Sequence, residues 1–118
     1  MIRLCSGLEK SFLVLELLRN DEDLQGVNVD VECFQNGREM GLTFTVWQGA
    51  TRITYCVYEH RNSDQIIVNH KKGWSSFTGD LPYKGESKYE YDQAFRYDEH
   101  YKCYEYLKEQ LIAHAEKV

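Results

Sequence analysis

The chain has 118 residues, a formal net charge of −5 and 42% hydrophobic residues. That length suits one domain (1–118), and that balance excludes an intrinsically disordered polymer. No apolar run approaches the roughly 18 residues of a membrane span: the longest, Phe12-Leu13-Val14-Leu15, stops at Glu16. Glu9, Lys10 and Glu16 interrupt the only N-terminal apolar patch, so no secretory leader is read.

The first predicted element is a helix. Ser6 and Glu9 have the spacing of a capping box, in which each side chain bonds a free backbone N–H of the first turn. Leu8, Phe12, Leu15 and Leu18 then recur every three to four residues, and Leu13, Val14 and Leu17 widen the stripe. The helix is expected to end at Asn20. Asp21-Glu22-Asp23 reads as the loop after it, because acid at a helix C-terminus opposes the macrodipole.

Four strands follow. Val27, Val29, Val31 and Cys33 alternate with polar residues and lead into Asn36-Gly37, a hairpin signal because both positions tolerate positive φ. Leu42, Phe44 and Val46 alternate with threonines up to Gly49-Ala50, and Ile53, Tyr55 and Val57 alternate up to the turn at 61–64. Ile66 to His70 forms the fourth strand. Turns at these places pair Val31 with Leu42, Phe44 with Tyr55, Leu42 with Val57, and Val57 with Val68. Turn chemistry and apolar period thus put the same residues on one face, and a one-residue slip would invert a strand.

Residues 71–91 hold three glycines and the only proline. They are expected to be a long loop with room for a short fifth strand. The last predicted element is a helix from near Asp92 to about Glu116, with Ala94, Tyr97, Tyr101, Tyr104, Leu107 and Leu111 on one stripe. The expected fold is therefore α+β in two layers: a four-stranded antiparallel meander with both helices on one face. The expected core is Phe12, Leu15, Val29, Val31, Leu42, Phe44, Val46, Ile53, Tyr55, Val57, Val68, Tyr101 and Leu111.

The order of helix, meander and helix resembles the double-stranded-RNA-binding domain in topology alone. That resemblance implies a basic cluster at the start of the last helix, where this chain has Asp92, Asp98 and Glu99. Phosphate affinity grows with clustered cations, so nucleic acid is disfavoured as a partner.

No Gly-x-Ser-x-Gly, phosphate loop or dinucleotide fingerprint is present. The four cysteines, Cys5, Cys33, Cys56 and Cys103, form no Cys-x-x-Cys, which predicts reduced thiols in a cytoplasmic protein. His100 and Cys103 share a helical face, but Cys56 and His60, four apart on a strand, are roughly 13 Å from each other and cannot bind one metal together. Neither a metal nor a cofactor is expected.

What remains is the second sheet face. Its registers place Trp47 beside Arg52, Thr45 beside Thr54 and Tyr58 between Gly41 and Ile67, with Phe34 at the turn end. Aromatic anchors beside an arginine are common ingredients of protein interfaces. The favoured expectation is a non-catalytic protein-binding module (an inhibitor, immunity, modulator or adaptor protein) using Phe34, Trp47, Arg52 and Tyr58, with homodimerisation through this face allowed. The alternative is a nucleic-acid or small-ligand binding domain using Lys71, Lys72 and Trp74. Third is a small enzyme built on Cys103 and His100.

Overall fold

The structure is a computed structural model that describes residues 9–36, 39–48, 51–60, 64–78, 81–86 and 88–114. Helix α1 (Glu9–Arg19) leads through a 3-10 turn (Glu22–Leu24) to strands β1 (Asp30–Asn36), β2 (Glu39–Gln48), β3 (Thr51–His60), β4 (Gln65–Thr78), β5 (Leu81–Glu86) and β6 (Glu90–Arg96). A second 3-10 turn (Tyr97–Glu99) opens helix α2 (His100–His114). The α+β class, the antiparallel meander and a helix at each end of the element order agree with the sequence reading. The proposed cap at Ser6 lies outside the described residues.

The sheet runs β1-β2-β3-β4, and β5 and β6 both pair with β4. Gly73 and Trp74 pair with β3 on one side and with Glu86 and Gly85 of β5 on the other. Gln65 to His70 likewise pair with both β3 and β6. β5 and β6 therefore lie end to end along one edge of β4, filling a fifth position in two pieces. Among the described residues, Ser75–Thr78 pair only with β5 and extend past the start of β3 as a two-stranded arm.

The central register is the expected one. Leu42 pairs with Val57, Phe44 with Tyr55 and Val46 with Ile53, and Val57 pairs with Val68. β1 is a correction. Cys33 pairs with Leu42 and Val31 with Phe44, two residues away from the expected alignment, because Asn36 pairs with Glu39 and the residues between them are Gly37 and Arg38. An even slip keeps every side chain on its face, so the apolar pattern could not detect it. The strand also starts at Asp30, which leaves Val27 and Val29 ahead of it.

Two further corrections concern 71–96. Lys71 to Thr78 continue β4 instead of forming a loop, and Leu81–Glu86 return as the fifth strand. Glu90–Arg96 is a strand, not the start of the last helix. Tyr89, Tyr91, Phe95 and Tyr97 recur at even spacing, the period of a strand. The open edge of β4 supplies the backbone partners that decide between the two periods.

Both helices pack on one sheet face. The core joins Val14 and Leu18 of α1, Leu24, the inward residues of β2, β3 and β4, and Cys103, Leu107 and Leu111 of α2. Phe12, Val31 and Tyr101 were expected in this core but are 45%, 40% and 55% exposed. α1 is apolar on nearly every side, so spacing alone did not fix which face packs. The buried stripe is Ser11, Val14 and Leu18. Leu15 and Val29 are partly buried against the core.

Two tyrosines of α2, Tyr104 and Tyr106, seat at rims where their hydroxyls find partners. Tyr104 donates to Asp21, which also caps the first 3-10 turn by accepting from the backbone of Asp23, and Lys108 Nζ lies 2.9 Å from carboxylate oxygens of both Asp21 and Asp23. Tyr106 donates to Asp92 Oδ2 at 2.5 Å and Tyr55 donates to Gln110 at 3.3 Å, tying β6 and β3 to α2. The N-terminal end of α1 is held by Glu59, whose buried carboxylate accepts the Lys10 N–H at 2.9 Å. Among the described residues, no helix is long and apolar enough to cross a membrane.

Candidate functional site

Strand alternation sends Thr43, Thr45 and Trp47 of β2, Arg52, Thr54, Cys56 and Tyr58 of β3, and Lys71 and Gly73 of β4 to the face opposite the helices. At its centre is a groove of about 300 Å³ bounded by residues including Asp30, Glu32, Trp47, Arg52, Lys71 and Tyr89. Its floor is hydroxyl-lined. Thr45 Oγ1 and Thr54 Oγ1 lie 3.0 Å apart across β2 and β3, and Thr43 Oγ1 donates to the backbone oxygen of Glu32 at 3.3 Å.

Two cations of the groove lie on aromatic rings. The Arg52 guanidinium lies 5.8 Å from the centre of the Trp47 ring, and Lys71 Nζ lies 4.5 Å from that of Tyr89, distances at which ring quadrupole and cation attract. Gly73 is what lets Arg52 lie there. A Cβ on residue 73 would sit 2.6 Å from Arg52 Nε and 3.1 Å from its Cγ. Charge is divided across the face, with Asp30 and Glu32 along β1 and Arg52 and Lys71 along β3 and β4.

The expected site residues are only partly brought together. Trp47 and Arg52 pair as expected. Tyr58 shares their face, but six residues along β3 from Arg52 it stands roughly 20 Å away. Lys71 joins the groove. Lys72 does not: it pairs with Ile53, points to the helix side and is exposed there. The Lys71-Lys72 pair is thus split between the faces by strand alternation. The side chains of Phe34 and Trp74 lie outside those described; their backbones pair with Gly41, and with Thr51 and Gly85.

Sequence reasoning missed Tyr89, Gly73 and the acidic wall of Asp30 and Glu32. The first two fell in a segment read as loop. The two acids were visible as the polar alternates of β1, but their side was not given a role.

The Cys and His candidates do not converge. Cys103 is fully buried in the core between sheet and helices, and burial pushes its thiol up to about 12. Cys56 faces the other way, so the sheet separates them. His70 sits between Glu90 (Nε2 to Oε2 3.9 Å) and Asp92 (Nδ1 to Oδ2 3.7 Å). The two carboxylates address opposite ring nitrogens and cannot share one ion with that ring. Among the described residues, no group of three or more His, Cys, Asp or Glu side chains gathers to hold a metal.

Neither family models, curated proteins nor solved structures give a match to this chain.

Proposed function

We propose that the chain is a non-catalytic protein-binding module that recognises its partner with the sheet face opposite the helices. The observation that carries this reading is the one-sidedness of the fold: both described helices pack on the same face, and the other keeps a grooved surface with a threonine floor and two cation-capped aromatic rings. Such a surface offers hydrogen-bond groups beside aromatic anchors with neighbouring cations, the kind of residues that dominate binding at interfaces. A shallow open groove suits a protein segment better than an enclosed small molecule, which is normally surrounded on most sides. The same reading places the chain in a reducing compartment such as the cytoplasm, where an exposed thiol such as Cys33 stays reduced.

Affinity capture from native lysate with the wild-type chain, Trp47→Ala and Arg52→Ala, read by mass spectrometry, tests it. Partners bound by the wild type and lost from both variants, with unchanged far-UV circular dichroism, support the proposal. Identical captures by all three would remove it, and unfolding of Trp47→Ala would show the ring to be structural.

A further inference from the structure

We propose that the outer edge of β1 accepts an extended segment of a partner protein in which apolar side chains alternate with Lys or Arg. This uses the outer edge of β1 rather than the groove floor, although its acids, Asp30 and Glu32, also form one wall of the groove. β1 is the last strand of the sheet, and its inner edge alone is paired among the described residues. An unpaired edge is a template for another strand unless Pro, Lys, a bulge or a covering segment blunts it. Asp30–Asn36 contains neither Pro nor Lys, and its pairing with β2 runs without a register shift.

The two faces of this edge have opposite chemistry. On the helix side, Val31 is 40% exposed. Together with Val27, Val29 and Leu15 it borders a groove of about 220 Å³ beside α1, in which Arg19 and Gln25 line the wall among the aliphatic side chains. A helix-side chain of an added strand level with Val31 would enter that groove. On the other side, Asp30 and Glu32 are exposed, and neither has an ion pair among the described residues. They stand two residues apart, roughly 7 Å along the strand, so the intervening side chains of an added strand would lie next to two carboxylates. Directly opposed unlike charges stabilise a strand pair, whereas like charges oppose it.

The same rule disfavours a second copy. β1 paired with β1 of another molecule would gather four carboxylates on one face of the joint. The partner chemistry is therefore complementary rather than identical, and strand addition of this kind takes its affinity from main-chain bonds and its selectivity from alternate side chains.

The test uses two labelled seven-residue peptides, one alternating valine with lysine and one alternating valine with glutamate. Fluorescence anisotropy is read together with amide hydrogen exchange. The lysine peptide is expected to bind at least tenfold more tightly, to weaken as salt rises, and to slow exchange of the β1 amides. D30K/E32K is expected to reverse the preference. Should that variant fail to fold, D30N/E32N, which removes charge at constant shape, should abolish the preference. Equal binding of both peptides, unchanged β1 exchange, or a preference that survives D30N/E32N would overturn the proposal. So would protection of β1 that grows with protein concentration in the absence of peptide, since the occupant would then be a second copy.

Discussion

Replacing Phe44 by Ala removes a ring that is 1% exposed at the middle of β2, flanked by Val31 on β1 and Tyr55 on β3. Losing roughly 150 Å² of buried apolar surface at about 25 cal/mol per Å² costs about 4 kcal/mol. The cavity left behind would normally add to this. Here Phe44 already borders the groove between α1 and β1, so Leu15 and Leu111 can relax toward it and the added cost is small. The expected loss is about 3–4 kcal/mol. With a urea slope of about 1.5–2 kcal/mol per molar for a chain of this size, the midpoint should fall by about 2 M at unchanged slope. Tyr101→Ala is the control: sequence spacing put it in the core, yet it is 55% exposed and rests its ring on Tyr104 at 5.4 Å. Its loss should stay under about 1 kcal/mol. A Phe44 variant that loses less than 1 kcal/mol, or a Tyr101 variant that loses as much as Phe44, would refute this placement of the core.

Gly73→Ala should cost under about 1 kcal/mol in stability, because the clash is with the Arg52 side chain and not with backbone. It should nonetheless move Arg52 off Trp47 and weaken partner capture as Arg52→Ala does; capture at wild-type level would show that the stacked geometry is irrelevant. Burial raises Tyr55 to about 12 and, with Asp92, also raises Tyr106. Both then keep their protons in the folded chain after the unfolded chain has released them near pH 10. Their contribution to stability is complete below pH 10 and is lost as pH rises toward 12, by about 1.4 kcal/mol per pH unit for each group. Urea midpoints that stay flat across pH 10–12 would contradict this. At the acid end, the bonds from Tyr104 and Lys108 hold Asp21 below the usual carboxylate range, so its contribution is present above pH 4 and fades as pH falls further. The Asp21→Asn variant should show a shallower acid transition than the wild type. Among the described cysteines, exposed Cys33 should react with Ellman's reagent at once, while Cys103 waits for unfolding; prompt labelling of Cys103, followed by peptide mapping, would break the core assignment.

How far the sequence could be read depended on which competing alternatives its patterns distinguish. The β2-β3-β4 alignment was legible because odd slips would have turned Phe44, Tyr55 or Val57 into water. The two-residue shift of β1 was not, because it keeps Val31 and Cys33 on the same face and only the choice of turn residues separates the alignments. In 89–97 the aromatic residues fit a helical stripe continuing into Tyr101 and Tyr104 as well as a strand. The vacant side of β4, a partner 20 to 30 residues away in the chain, settles that choice. Trp47 beside Arg52 followed from register alone. The joining of Lys71 to Tyr89, and the space that Gly73 leaves for Arg52, required the long hairpin of β4 with β5 and β6.

α1 packs against α2 as well as on the sheet, although eighty residues of chain (20–99) separate the two helices. Each hairpin of the meander, by contrast, closes over a handful of residues. Closing the larger loop carries the greater entropic cost before any contact repays it. The strands should thus assemble early on a bare apolar surface, and the two helices should arrive late and together. Slowed refolding in Phe44 variants, against accelerated unfolding with near-normal refolding in Val14 or Leu107 variants, would be the kinetic mark of that sequence of events.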